Sequence, residues 1–180
     1  MKILKDDSIA IIVDIQEKLM PHIHNNEEIL SNCVKLVSGL NSLDIPILLL
    51  EQYPKGLGHT VENIKSVLKT YEPIEKLEFN CCDNENILNI LKESKKKNVI
   101  LMGVESHVCL LQSALGLKEH GFQPVIIQDC VSSRNPNDKK FAIKRLIQEN
   151  CIISTYESIL FEFCQKAGND YFKAISKIVK

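Results

Sequence analysis

Three residues of complementary chemistry, Asp14, Lys76 and Cys109, stand near the ends of apolar segments in this chain of 180 residues. Asp14 directly follows the β-branched run Ser8–Val13, and Lys76 ends a weaker strand-like segment. Cys109 follows the apolar run 99–104, in the first turn of a predicted helix. A thiol beside a carboxylate that can accept its proton, and beside an ammonium that can stabilise its thiolate, is suited to nucleophilic catalysis.

Each of these residues also has a structural interpretation. The unpaired N–H groups at a helix start favour an anion and are expected to lower the pKa of Cys109, but a free cysteine is often a small buried hydrophobe. Asp14 could cap the next helix, and most lysines are solvated surface groups. His107 is a competing base for the thiol. It ranks below Asp14, since helical side chains two positions apart diverge by about 200°.

Strand-like and helical segments alternate along the chain. Strands are predicted at about 8–14, 46–51, 73–76, 99–104, 123–128 and 151–154. Helices are predicted near 27–43, 60–69, 84–96, 106–120 and 137–149, with two short helices in 157–180. This alternation predicts a parallel sheet with helices on both faces and a ligand crevice at the carboxyl ends of its strands. Without a repeat or a linker, residues 1–180 are predicted to form one domain.

Composition excludes several classes of protein. A net charge of −1 gives no electrostatic footprint for nucleic acid or an anionic membrane, and no stretch approaches transmembrane length. The seven cysteines are odd in number and lack CxxC spacing, which favours a reducing compartment. The first apolar run is too short for a signal peptide. We therefore expect a cytoplasmic protein that does not bind nucleic acid or membranes.

Four segments resemble the isochorismatase-like cysteine hydrolases, and among them the isochorismatase domain-containing proteins. They are Val13–Lys18, Glu51–Gly58, Gly103–Cys109 and Asp129–Arg134. The second reads Glu-Gln-Tyr-Pro-Lys-Gly-Leu-Gly and is the most specific of the four. The resemblance implies an α/β fold with Rossmann-type topology: a three-layer α/β/α sandwich around a six-stranded parallel sheet.

The same resemblance implies roles for named residues. Asp14, Lys76 and Cys109 would form the catalytic triad. A cis peptide bond between Val104 and Glu105 would aim the backbone N–H groups of Glu105 and Cys109 into the pocket as an oxyanion hole, although Glu105 could instead be a solvated charge.

Two further residues of the matching segments, Gln16 and Tyr53, are expected to line the substrate pocket. Neither a catalytic metal nor a cofactor is expected. The nicotinamidase branch of the superfamily binds metal through an Asp-x-His pair and a further histidine, but here Tyr53 occupies a ligand position and only His59 remains. His22 and His24 lack a third ligand, and one or two imidazoles do not make a site.

The sequence therefore predicts a hydrolase that cleaves a C–N bond of a small amide-like molecule through a thioester on Cys109. Isochorismatase proper cleaves a vinyl ether and does not need the thiol, so the presence of Cys109 favours C–N hydrolysis. The resemblance also implies a homo-oligomer. The alternative is a non-catalytic binding or scaffold protein that has the same fold and a reactive thiol.

Overall fold

The computed structural model describes residues 2–180 and contains a six-stranded sheet with the order β3-β2-β1-β4-β5-β6. The strands are β1 Ser8–Val13, β2 Ile47–Gln52, β3 Pro73–Lys76, β4 Asn98–Val104, β5 Gln123–Ser132 and β6 Ile152–Ser154. Every neighbouring pair is parallel. The predicted α/β class and six-stranded parallel sheet are confirmed.

The helices pack on both faces of this sheet. They are α1 Asn26–Ser42, α2 Pro54–Leu57, α3 Glu62–Lys65, α4 Glu85–Ser94, α5 Cys109–Glu119, α6 Pro136–Gln148, α7 Tyr156–Cys164 and α8 Asp170–Val179. One apolar core joins the sheet to α1, α7 and α8, and a second joins the opposite face to α4, α5 and α6. The strands β1 and β4 are buried along their whole length, as continuous apolar runs require in a sheet covered on both sides.

The segment predicted as a helix at 60–69 forms only one turn, Glu62–Lys65. Its apolar spacing is helical, but the Val67 carbonyl accepts a hydrogen bond of 2.7 Å from the Asn41 side chain of α1. The Val67 and Leu68 N–H groups donate to carbonyls only three positions back, those of Ile64 and Lys65, so the α-helix does not continue. The short helix α2 was not predicted.

Helix α5 begins at Cys109, three residues later than the pattern at 106–120 predicts. The preceding Val108 has a non-helical backbone (φ −118°, ψ −97°), and its N–H donates to the Glu105 carbonyl at 3.1 Å. A turn therefore separates β4 from α5 and leaves Cys109 as the first helical residue.

Strand β5 is longer than predicted and pairs irregularly with β4. Leu101 pairs with Ile126, whereas Gly103 pairs with Val131, so extra residues of β5 are accommodated between these pairs. The end of β5 thereby reaches the loop after β4, where the Ser106 N–H donates to the Ser132 carbonyl at 2.8 Å. Within residues 2–180, no helix is long and apolar enough to cross a bilayer.

Candidate active site

Polar side chains from four strand ends meet at the carboxyl edge of the sheet. Asp14 follows β1, Gln52 and Lys76 end β2 and β3, and Glu105 follows β4. Because these strands are parallel neighbours, their ends lie side by side. All four side chains are buried, as is Cys109 at the start of α5. Burial of so many polar groups is costly unless they satisfy one another.

The ammonium of Lys76 lies at the centre of this group. Its Nζ donates to Asp14 Oδ2 at 3.0 Å, to Gln52 Oε1 at 2.7 Å and to the Glu78 carbonyl at 3.3 Å. An ammonium has three N–H donors, so all of them are engaged. The structure therefore brings the Lys76 and Asp14 side chains together, while their role in a catalytic triad stays a prediction.

Asp14 is held in a left-handed backbone conformation with φ 54°. Burial raises the pKa of its carboxyl group, while the charge of Lys76 and a contact with the Cys109 thiol act in the opposite direction. Its Oδ1 atom is buried and accepts no hydrogen bond from any group in residues 2–180. Asp14 thus has one oxygen bound to Lys76 and a second oxygen available for a proton.

The thiol of Cys109 is only 6 % exposed. Burial and then the negative charge of Asp14 raise its pKa to about 12, and Lys76 only partly opposes them. The expectation that the helix start lowers this pKa is wrong, because desolvation and the neighbouring carboxylate outweigh the helix N-terminus. The resting site therefore holds a neutral thiol beside the paired side chains of Lys76 and Asp14.

Glu105 follows a cis Val104–Glu105 peptide bond, as the resemblance implies. Its carboxylate accepts hydrogen bonds from the Arg134 backbone N–H at 2.9 Å and from Arg134 Nε at 3.1 and 3.2 Å. It is therefore not a solvated charge. Within residues 2–180, the backbone N–H groups of Glu105 and Cys109 donate to no protein acceptor, so both remain available to a bound group.

The sequence analysis did not predict Gln52 as a site residue. A polar residue at the end of a buried strand could have indicated it. Besides binding Lys76, its Oε1 lies 3.9 Å from the Cys109 Sγ atom. The fully buried Gln16 holds it: the Gln16 side chain donates to the Gln52 carbonyl at 3.0 Å and accepts from the Gln52 N–H at 2.7 Å. Gln16 also donates to the Gly58 carbonyl. Gln16 therefore supports Gln52, and its contact with a substrate stays a prediction.

Tyr53 is half exposed and borders a cavity of about 360 Å³ at the edge of the sheet. The other lining residues are Pro54, Lys55, Glu75, Lys76 and Leu77. Cys109 does not line this cavity, so the structure places Tyr53 beside a cavity that Lys76 borders and the thiol does not.

Glu51 lies in β2, two residues before Tyr53. Its buried carboxylate accepts hydrogen bonds of 2.7 Å from the Thr60 N–H, the Thr60 hydroxyl and the Tyr71 hydroxyl, and it contacts His59 Nδ1 at 3.0 Å. Burial acts to raise the pKa of Glu51, but these hydrogen bonds outweigh it and lower the pKa. Protein donors therefore surround the carboxylate. Residues 2–180 contain no group of three His, Cys, Asp or Glu side chains placed to hold a metal.

The His107 ring contacts other side chains and not the Cys109 thiol. Its Nδ1 lies 2.9 Å from Ser133 Oγ, and its Nε2 lies 3.9 Å from Asp138 Oδ2. The ring therefore joins the loop after β4 to the start of α6.

Comparison with known proteins identifies the group to which this architecture belongs. Residues 8–158 match the Isochorismatase domain. The chain belongs to the isochorismatase family. Isochorismatase family protein 1B of Dictyostelium discoideum is 38% identical over 184 residues, covering 99% of this chain and 89% of the relative. Isochorismatase domain-containing protein 2 of Danio rerio is 35% identical over 173 residues, covering 96% and 86%.

Solved structures of isochorismatase-like fold agree closely. A Caenorhabditis elegans protein described as MAR1 ribonuclease superposes with a TM-score of 0.93 at 36% identity, covering 99% of this chain and 92% of that one. The YcaC gene product of Escherichia coli, described as an octameric hydrolase of unknown specificity, also gives a TM-score of 0.93, covering 99% and 89%. Its identity is 22%, so that likeness concerns the fold alone.

Proposed function

We propose that this isochorismatase-family protein hydrolyses a C–N bond of a small amide-like substrate through a thioester on Cys109. The observation that carries the proposal is the buried contact of Lys76 with Asp14, with the Cys109 thiol beside it. Thiol, carboxylate and ammonium are the groups that acyl transfer to sulfur requires. Their exclusion from water strengthens every charge interaction among them.

In the first step, Asp14 accepts the proton of the Cys109 thiol as sulfur attacks the substrate carbonyl. The free Oδ1 of Asp14 supports this role. Protonated Asp14 attracts Lys76 less strongly. The ammonium can then turn one N–H towards the sulfur, giving up its longest hydrogen bond, the one of 3.3 Å to Glu78. Because the resting thiol has a pKa of about 12, proton transfer must accompany attack.

The attack forms a tetrahedral intermediate with a negative oxygen. The unpaired N–H groups of Glu105 and Cys109 are suited to stabilise this oxygen as an oxyanion hole. Collapse of the intermediate breaks the C–N bond, and protonated Asp14 returns its proton to the leaving amine. Asp14 then activates water, which cleaves the thioester to the free acid and restores the thiol.

A screen of small amides and carbamoyl compounds tests the proposal. We expect turnover by the wild-type protein, loss of turnover in Cys109→Ala, and an acyl adduct on the Cys109 peptide by mass spectrometry when the reaction is quenched early. Cys151→Ala is the matched control, because Cys151 is equally buried but precedes β6 at the opposite edge of the sheet. Turnover that persists in Cys109→Ala would refute the thioester mechanism.

A non-catalytic binding protein is the second candidate, and the high pKa and burial of Cys109 favour it. The same screen separates the two. A ligand that raises the melting temperature of both wild type and Cys109→Ala, with neither product nor adduct, would support binding without turnover.

The C. elegans relative described as a ribonuclease prompts a test for RNA cleavage. We expect no cleavage that depends on Cys109. A net charge of −1 does not favour binding of an RNA backbone, and the buried thiol is not placed to reach one. Loss of RNA cleavage in Cys109→Ala, with retention in Cys151→Ala, would replace the amide substrate with RNA.

We infer further that the protein acts in a reducing compartment such as the cytoplasm, since all seven cysteines are free thiols. Homo-oligomerisation is supported by the large exposed apolar side chains of α6, Phe141 and Ile147. Light scattering should give a mass that is a multiple of that of the chain, and a monomer mass would exclude this assembly.

A further inference from the structure

Three consecutive backbone carbonyls after β3 are each held by a buried side chain. The Leu77 carbonyl accepts from Gln52 Nε2 at 2.8 Å, and the Glu78 carbonyl accepts from Lys76 Nζ at 3.3 Å. The Phe79 carbonyl accepts from the Ser113 hydroxyl at 3.3 Å. The main chain of this segment is thus fastened directly to groups of the candidate active site.

The side chains of the same segment contribute little to holding it. Leu77 is 71% exposed and Phe79 is 51% exposed. Since β3 is an edge strand, no further strand shields the end that carries Lys76, yet the Lys76 side chain is completely buried. The segment Leu77–Phe79 is therefore a cover that rests on hydrogen bonds and not on apolar packing.

Ser113 connects this cover to the helix that carries the thiol. It lies four positions after Cys109 on α5, and therefore on the same helix face one turn away. Its hydroxyl oxygen also accepts the Cys81 N–H at 3.0 Å. A single buried hydroxyl therefore binds the chain at two points, Phe79 and Cys81.

We propose that the segment Leu77–Phe79 is a gate over the Cys109 thiol and that Ser113 is the positioning residue that keeps it closed. Segments that have few apolar contacts open locally at a much lower free energy than global unfolding. In the closed state Cys109 is nearly inaccessible, so a reagent or substrate must wait for the gate to open. The inference concerns access to the thiol and holds whether or not the protein turns over a substrate.

Alkylation with iodoacetamide, followed by peptide mass spectrometry, measures the opening. Ser113→Ala removes both hydrogen bonds of the hydroxyl, and we expect Cys109 to be alkylated roughly tenfold faster. Cys151 is an internal reference in the same sample, since it is 7% exposed and lies at the other edge of the sheet. Its rate should change less than about twofold. Ser38→Ala, whose hydroxyl bonds only within α1, should change neither rate.

Two outcomes would overturn the gate: equal acceleration of Cys109 and Cys151, which signals general destabilisation, or no acceleration of Cys109. Hydrogen exchange on the wild-type protein provides a test that does not depend on a variant folding. The amides of residues 77–81 should exchange much faster than those of β4, with an opening free energy that matches the protection of the Cys109 thiol. Protection of this segment equal to that of β4 would also refute the proposal.

Discussion

At the scale of single residues, the site combines two charges that shift the pKa of the Cys109 thiol in opposite directions. The negative charge of Asp14 raises the pKa of Cys109, whereas the positive charge of Lys76 lowers it. Burial is the larger cause and keeps the thiol protonated at neutral pH. In the mechanism that we propose, reactivity therefore depends on transferring the proton to Asp14 and not on a preformed thiolate. The pKa of the thiol and its ability to attack a substrate are then two different properties, which can be measured separately.

Asp14→Asn should separate these two properties experimentally. The amide cannot accept a proton, so we expect acyl transfer to fall by roughly 10²–10⁴-fold, the usual contribution of a positioned general base. Removal of the negative charge should at the same time lower the pKa of Cys109 below about 12 and speed its alkylation at pH 9. Stopped-flow alkylation and steady-state turnover measure the two effects. Unchanged turnover would remove Asp14 from the mechanism.

Lys76→Met should have the reverse effect on the thiol. Loss of the ammonium raises the pKa of Cys109 still further, so turnover should fall and alkylation of the thiol at pH 9 should become slower. The variant also leaves Asp14 buried without its charge partner, which typically costs about 3–5 kcal/mol of stability. Asp14→Asn with Lys76→Met should recover most of that stability in urea unfolding, but none of the activity. Identical alkylation rates at pH 9 for wild type and Lys76→Met would contradict the electrostatic role.

At the scale of elements, the close approach of β1 and β4 beneath the site depends on Gly103. Its backbone has φ 119°, a conformation that side chains disfavour. A Cβ atom there would overlap the Val13 carbonyl oxygen of β1. A glycine at this position therefore lets the two central strands carry Asp14 and Glu105 to the same edge.

Gly103→Ala should destabilise the protein by more than about 3 kcal/mol, since it adds a steric clash with β1 to backbone strain. Gly121→Ala is the matched control. It also has a positive φ, of 83°, but its new methyl group would meet nothing within 4 Å. Strain alone should cost about 1–3 kcal/mol there. Urea denaturation measures the loss of stability in both variants. Equal losses would show that the contact with Val13 adds nothing to the cost of backbone strain.

At the scale of the whole molecule, stability depends on pH through Glu51, which joins β2 to Thr60 and Tyr71 of the segments that follow. Its pKa is lowered in the folded protein. The carboxylate therefore contributes stability above its ordinary pKa of about 4.3. That contribution is lost as pH falls through the depressed folded value.

Glu51→Gln should consequently cost about 1–3 kcal/mol at pH 7, because the neutral amide satisfies fewer of the surrounding donors. The difference from wild type should shrink between pH 7 and pH 3, as pH falls towards the depressed pKa of the wild-type carboxylate. Urea unfolding at both pH values measures it. A penalty that is the same at pH 7 and pH 3 would mean that shape, and not charge, is what Glu51 supplies.

Much of the fold could be predicted because its signals are local. The buried runs at β1 and β4 and the alternation of strand and helix determine a parallel sheet, and parallel strands bring Asp14, Lys76 and the start of α5 to one edge. Asp14, Lys76 and Cys109 could thus be proposed as a candidate group before any contact was known. The family resemblance added the cis bond between Val104 and Glu105.

Only the tertiary structure decided how these groups act on one another. Desolvation depends on what packs around an atom, so the rise in the Cys109 pKa has no sequence signature. Gln16 supports Gln52 through hydrogen bonds between residues more than 30 positions apart in the chain. The same is true of the hydrogen bond that joins Ser113 to Cys81. The sequence pattern predicts which side chains lie at the carboxyl edge of the sheet. Their mutual distances, and hence their protonation and accessibility, arise only when helices and loops close over that edge.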